Sequence, residues 1–391
     1  MVKGVLALLA PGQGAQTPGM LTPWLDLPGA TARLRWFSAL TGLDLLRLGT
    51  EADAAEIRDT AVTQPLTVAL GLLAAAELPT AEVGATAGHS VGELTAAAVA
   101  GVLPPETAIA LAGLRGREMA AACARAQTGM SALLGGDPAE VLARVEACGL
   151  TPANRNGAGQ VVAAGSLAGL AALAEQPPAG TRVKALPVAG AFHTTYMAAA
   201  ESALAGVADG IDAANPRILL LSNADGTAVH SGGEVIKRLV RQVTAPVRWD
   251  LCQATLRDLG VTAVVELPPA GTLAGLAKRE LAGVQILPVR SPDDLAAAAD
   301  LIRRCAPSHQ AQHTPDWRMV MAPVGGTVRR AGVGEGAAVE AGAPLGVIAT
   351  RREEQPVLAS YAGVLVEWLV EDGDLVDPGD PMARLEPGSP T

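Results

Sequence analysis

Two textures alternate along most of the chain. Short runs at Val5–Leu9, Val83–Ala87, Val161–Ala164, Ile218–Leu221, Ala263–Leu267 and Val284–Val289 carry almost no polar position. Apolar runs of this length without strict alternation predict strands buried on both faces. Between them lie longer Ala-rich stretches at Gln64–Ala76, Glu106–Ala126, Pro138–Ala147 and Asp293–Arg304, which predict helices. Strands alternating with helices predict βαβ units and a largely parallel sheet, hence an α/β unit over residues 1–304. The rhythm breaks at residues 305–316, a polar stretch with two prolines and no hydrophobic period, expected as a linker. From 317 to 391 the runs are short, β-like and punctuated by glycine. This tail also repeats itself at a spacing of 37 residues. Gly326, Gly336, Val339, Gly342, Pro344 and Leu345 recur as Gly363, Gly373, Val376, Gly379, Pro381 and Met382. That regularity predicts two interlocked β-hairpin units related by a pseudo-twofold axis.

Composition narrows the classes. Hydrophobic residues make up 49% of the 391 and charged residues 17%, enough apolar material for a core and too little charge for a disordered polyampholyte. A net charge of −10 and 2% aromatics exclude the basic, ring-bearing face that nucleic acids require. No apolar run is long enough to cross a bilayer, so no membrane span is expected. Met1-Val2-Lys3 before Gly4–Ala10 imitates a signal peptide, but the apolar run is short and no small-residue cleavage site follows. A buried first strand feeding a glycine-rich loop fits better. Cys123, Cys148, Cys252 and Cys305 form no CxxC pair, so neither a metal site nor a disulfide framework is expected, and the expected compartment is the cytoplasm. Of 29 basic residues only four are lysines: Lys3, Lys184, Lys237 and Lys278.

The candidate chemistry begins at Gly88-His89-Ser90-Val91-Gly92, which follows one predicted strand and precedes a helical stretch from Glu93. A strand–GxSxG–helix context is that of a nucleophile elbow, a turn so tight that only glycine fits beside the serine. A serine nucleophile needs a base. Of the five histidines, His309 and His313 fall in the linker, His230 in a polar turn, and His89 is turned away from the hydroxyl by its adjacency to Ser90. His193 remains as general base by elimination, with a core or capping histidine as the alternative.

Residues 1–304 resemble the malonyl-CoA:acyl carrier protein transacylase family of fatty acid and polyketide synthesis. The resemblance rests on six ordered motifs. They are Pro11-Gly-Gln-Gly-Ala-Gln, Gly88-His-Ser-Val-Gly-Glu with Arg115-Gly 25 residues past the serine, Asn154-Arg-Asn-Gly-Ala-Gly-Gln, Gly190-Ala-Phe-His, Gln242 before Ala245-Pro-Val-Arg-Trp, and Gly271-Thr-Leu-Ala-Gly-Leu-Ala-Lys. It implies an acyltransferase fold, with a parallel-sheet, α/β-hydrolase-like large subdomain and an inserted ferredoxin-like small subdomain at about 127–192. It also implies transfer of malonyl from malonyl-CoA, through an ester on Ser90, to the phosphopantetheine thiol of an acyl carrier protein. His193 is then the base, held by the main-chain carbonyl of Gln242 in place of an acid. Main-chain N–H groups of Gln13 and Val91 form the oxyanion hole, and Asn154 lines the site. Arg115 grips the free malonyl carboxylate, which acetyl lacks. Phe192 fills the space a branched acyl chain would need, which favours malonyl. Arg182 and Lys184 approach the His193 segment and offer positive charge to an acidic carrier protein. A serine hydrolase or thioesterase built on the same elbow, and a scaffold without catalysis, remain as alternatives.

Residues 317–391 resemble a biotinyl/lipoyl carrier domain, an all-β flattened barrel, through Met321-Ala-Pro-Val-Gly-Gly-Thr-Val and its second-half copy. The hairpin that bears the modified lysine in such domains falls at Ala349–Gln355, with Arg351 and Arg352 where Met and Lys usually stand. No lysine follows Lys278. A guanidinium cannot form the amide that holds biotin or lipoate, so no covalent cofactor is expected. The tail is left as a docking module for a protein partner, an orienting element or a fold retained without cargo.

Overall fold

The computed structural model describes residues 5–306, 318–350, 353–360 and 362–387. The chain divides into two compact units, Met1–Pro307 and Ser308–Thr391. Most of the expected linker, and the Arg351–Arg352 position, lie outside the described residues.

The first unit is organised by a six-stranded sheet. Its order is Gln285–Pro288, Val261–Glu266, Val5–Ala10, Ala85–Gly88, Leu219–Leu221 and Ala228–Val229. The first five strands run parallel and the last is antiparallel. Val5–Ala10 shows why its sequence has no polar alternation. Leu6 and Leu8 enter the core on one face, and Ala7 and Leu9 enter a second core on the other. Ala10 pairs with Gly88, so the loops after these two strands leave the carboxyl edge of the sheet side by side. That edge is where open parallel sheets place their ligands.

Two helices flank this edge. Thr60–Ala76 is buried nearly all round and starts at Asp59, whose side chain accepts from the Ala61 N–H. Pro105–Cys123 begins with proline at its first position and packs along it, with Gly116 so close that a Cβ would stand 2.8 Å from the Thr60 carbonyl oxygen. This helix stops at Cys123, short of the expected Ala126, because the next strand begins at Thr128. Ala85–Gly88 likewise starts two residues later than expected, after a 3-10 turn at Thr80–Glu82.

A second, smaller sheet is built from Thr128–Gly135, Thr151–Gly157, Gln160–Ser166 and Thr181–Ala185, with helices Pro138–Ala147 after the first strand and Leu167–Glu175 after the third. The spatial order is fourth, first, third, second, and these pairs are antiparallel. This βαββαβ arrangement is ferredoxin-like. Val247–Arg248 joins it in parallel beside Thr151–Gly157.

The second unit holds two antiparallel four-stranded sheets. The 37-residue repeat is visible in its elements: Gly326–Arg330, Ala338–Val339 and Pro344–Ala349 recur as Gly363–Trp368, Leu375–Val376 and Pro381–Pro387. Each half lends its short middle strand to the other. Ala338–Val339 pairs with Gly363–Val364, and Leu375–Val376 pairs with Gly326–Thr327. Val328, Leu345, Ile348, Leu365, Met382 and Leu385 form the common core. No helix among the described residues is long and apolar enough to cross a membrane.

Candidate active site

Ser90 stands on the turn between Ala85–Gly88 and the helix Gly92–Val99, with φ of +54°. This left-handed backbone costs a non-glycine residue energy and is held by its surroundings. The flanking glycines are required by space. A Cβ at Gly88 would lie 2.0 Å from the Gly92 carbonyl carbon, and one at Gly92 would lie 2.2 Å from the Ala10 oxygen. The turn is braced by Asn223, whose Oδ1 accepts from the Ser90 N–H at 2.8 Å while its Nδ2 donates to the Gly88 oxygen at 2.8 Å.

His193 arrives from the loop after the small sheet, also left-handed at φ of +59°. Its Nε2 lies 2.8 Å from Ser90 Oγ, and its Nδ1 lies 2.7 Å from the backbone oxygen of Gln242. A carbonyl can only accept, so Nδ1 carries the hydrogen and Nε2 is free to take the serine proton. Burial, with the nearby Arg115 charge, pushes the imidazole down to about 3, which keeps it in the neutral, proton-accepting form. His89 faces elsewhere. Its Nε2 meets Asn156 Oδ1 at 2.9 Å and its ring meets Trp249 edge-on.

Arg115 projects from Pro105–Cys123 and is only 2% exposed. Its guanidinium donates to Gln64 Oε1 at 2.7 Å, to Gln242 Oε1 at 2.9 Å and to Ser90 Oγ at 3.3 Å. Burial lowers it to about 10, opposed by Glu93, and it stays charged at neutral pH. A buried cation whose side-chain partners are neutral amides and a hydroxyl keeps a charge that those partners do not neutralise.

The crevice in front of Ser90 has a volume of about 430 Å³. Gln13, Ser90, Asn154, Phe192 and His193 all line it. Asn154 is 8% exposed and its Oδ1 has no hydrogen-bond partner. Phe192 also packs in the core that contains Met119 and Ala191. Val91 is the N-cap of Gly92–Val99, where a helix start leaves N–H groups without intrahelical acceptors. Gln242 touches both His193 and Arg115 from behind. Arg182 and Lys184 do not line the crevice; they are exposed on Thr181–Ala185, the edge strand of the small sheet.

Sequence reasoning passed over Gln64, Glu93 and Asn223. Each is at most 5% exposed, and each bonds a residue of the site. Gln64 carried a signal, a lone amide opening an otherwise apolar helical run. Glu93 closed the Gly88-His-Ser-Val-Gly-Glu motif without a role of its own, and Asn223 carried no signal.

The family model described as acyl transferase domain matches residues 8–312, and that described as biotin-requiring enzyme matches residues 318–385. The chain belongs to the acyl transferase family. It is 58% identical over 302 residues to the malonyl CoA-acyl carrier protein transacylase of Mycobacterium tuberculosis, covering 76% of this chain and 100% of that one. A crystal structure of the MCAT of Mycobacterium tuberculosis superposes with a TM-score of 0.74 at 57% identity, over 75% of this chain and 99% of the other. A malonyl-transacylase solved in complex with its type II PKS acyl-carrier protein does so with a TM-score of 0.71 at 29% identity, over 76% and 99%.

Proposed function

We propose that the protein moves a malonyl group from malonyl-CoA to the phosphopantetheine thiol of an acyl carrier protein. The observation that carries this is the buried Arg115 guanidinium 3.3 Å from Ser90 Oγ. A hydrolase of neutral esters has no use for a charged clamp beside its nucleophile.

Ser90 Oγ attacks the thioester carbonyl as His193 Nε2 takes its proton. The oxyanion is received by the N–H groups of Gln13 and Val91. Collapse of the tetrahedral intermediate expels the CoA thiolate, which leaves with the proton from His193. The carrier thiol then gives its proton to His193 and attacks the malonyl ester, and Ser90 regains the proton as the ester breaks. Throughout, the malonyl carboxylate pairs with Arg115. That pairing offsets the cation that disfavours imidazolium, so substrate and base support one another. Asn154 lines the acyl and pantetheine path with its unpartnered oxygen, and Phe192 leaves no room for an α-methyl branch.

Arg182 and Lys184 meet the carrier, which relieves repulsion between an acidic partner and a chain of net charge −10. The tail carries neither biotin nor lipoate, because Lys278 is the last lysine of the sequence. It serves as a protein-docking or structural module. A CoA thioester and a carrier protein are met in the cytoplasm, and the enzyme is assigned there with them.

Intact-mass measurement after mixing with malonyl-CoA tests the assignment. A single malonyl adduct is expected on the native protein and none on Ser90→Ala. The adduct should persist until carrier is added; rapid loss to water would make the protein a hydrolase. The same spectrum, without malonyl-CoA, would reveal a biotinyl or lipoyl mass if the tail were modified.

A further inference from the structure

One buried carboxylate beneath the elbow takes no part in the chemistry above. Glu93 lies in the first turn of Gly92–Val99 with 5% exposure. Its Oε1 accepts from the backbone N–H of Asn223 at 2.5 Å, and its Oε2 accepts from Nε2 of Gln242 at 2.5 Å. Gln242 Nε2 is also 3.1 Å from the Ser90 oxygen and 3.2 Å from Asn223 Oδ1. Those three neighbours are acceptors, so the amide must turn its NH2 toward them. Its Oε1 is thereby presented to the Arg115 guanidinium. Turned over, the same amide would set two donors, its own NH2 and the guanidinium, against each other.

We propose that Glu93 is a positioning residue for malonyl selection, because its carboxylate, together with the Ser90 and Asn223 oxygens, holds the Gln242 side chain in the orientation that gives Arg115 one of its two amide acceptors. The proposal rests on the reading of Ser90, His193 and Arg115 as the transfer machinery. A carboxylate that lines a small cavity with apolar side chains such as Leu220 and Leu239 costs more than an apolar residue in its place, so an orienting role gives it a purpose. Of the three acceptors facing Gln242 Nε2, the Glu93 carboxylate is the charged one and, at 2.5 Å, the nearest. One oxygen is committed to the fixed N–H of Asn223 and the other must face the mobile amide.

The amide isostere makes the proposal directional. In Glu93→Gln the oxygen stays with Asn223 N–H and the new NH2 faces Gln242. That NH2 opposes the Gln242 NH2 and drives Gln242 to turn its oxygen toward it, against the pull of the Ser90 and Asn223 oxygens, and Arg115 is left with Gln64 as its one amide acceptor. Every hydrogen bond of the Glu93 side chain is replaced, while the clamp is not. Protonation of Glu93 acts in the same direction, since a carboxylic acid holds the Gln242 NH2 less strongly than a carboxylate does. The charged and titratable groups around Glu93 are Arg115 on Pro105–Cys123, Arg238 on Gly232–Arg241 and Cys252 on Trp249–Asp258. Burial pushes Glu93 up to about 7, and the two arginines pull against that shift. The thiol of Cys252, raised by its own burial, stays uncharged across neutral pH.

The experiment compares malonyl-CoA with acetyl-CoA as acyl donors on the full chain, so that Ser90 and His193 are common to both arms. In the native protein the malonyl-over-acetyl ratio in kcat/KM should fall as pH drops from 8 to 6, as Glu93 takes up its proton. In Glu93→Gln the ratio should be lowered by about tenfold at pH 8, the worth of one hydrogen bond to a charged group, and be flat with pH. The loss should lie mainly in KM for malonyl-CoA. A role confined to fold stability would lower both donors together and leave the ratio unmoved. A ratio that is flat with pH in the native protein, a measurement that needs no variant, overturns the proposal; so does a folded Glu93→Gln with the native ratio. If the native protein forms no malonyl ester at Ser90, the transferase reading fails instead, which the intact-mass spectrum reports separately.

Discussion

The two units differ in what they bury. In the first, Gln64, Glu93, Arg115, His193, Asn223, Gln242 and Glu266 are all withdrawn from water. In the second, no polar or charged side chain is buried among the described residues, and its core is Val, Leu, Ile, Ala and Met alone. Both are β-containing, glycine-rich and cut by tight turns. An apolar core is sufficient to hold a fold together. Buried polar groups are costly unless partnered; in the first unit Glu266 caps Thr272–Glu280, and the other six of this set are linked around Ser90. The two cores therefore differ in kind: one holds partnered polar groups, several of them at Ser90, and the other is apolar among the described residues.

The elbow is where this contrast is sharpest. Gly88→Ala forces a Cβ into the backbone of Gly92, and should lower stability of the first unit by roughly 4 kcal/mol or more. Calorimetry on the full chain should show that transition collapse while the tail transition stays. The reverse separation follows from Leu345→Ala in the tail core, with a cost of about 3 kcal/mol to the second unit. Malonyl loading at Ser90 should be unaffected, and a parallel loss of loading would show that the tail supports the site. Arg115→Ala removes the proposed clamp but leaves Ser90 and His193 in place. A fall of about 100-fold in the malonyl-over-acetyl ratio is expected, the worth of two hydrogen bonds to a charge. An unchanged ratio in steady-state kinetics would separate Arg115 from selection. Smallest is the surface effect: Arg182→Glu with Lys184→Glu should slow transfer to the carrier by about tenfold at low salt, fading as salt is added. The rate of loading from malonyl-CoA is the internal control.

Much of the first unit was legible because its signals are steric or periodic. Val5–Ala10 and Val261–Glu266 are apolar on both faces of a covered sheet, and the composition records that directly. The strands Thr128–Gly135, Thr151–Gly157 and Thr181–Ala185 were not individually legible. They hold Gly, Ser, Pro, Asn, Arg and Lys, and their pairing into one sheet supplies what their own residues do not. The resemblance to a family supplied the small subdomain that periodicity alone did not.

What the sequence by itself offered is a candidate nucleophile in Ser90, a candidate base in His193 and the absence of a lysine from the tail. A glycine-flanked serine between strand and helix has few other uses, five histidines leave little choice, and a tail without lysine offers no amine for the amide that joins biotin or lipoate. What only the tertiary structure decided is how Arg115 is held. Gln64, Glu93, Asn223 and Gln242 are separated by as many as 178 positions between Gln64 and Gln242, and nothing in their spacing joins them. They meet because the carboxyl edge of a parallel sheet gathers loops from distant parts of the chain. Hydrogen bonds depend on orientation at that meeting point, and orientation is fixed only when every neighbour is in place.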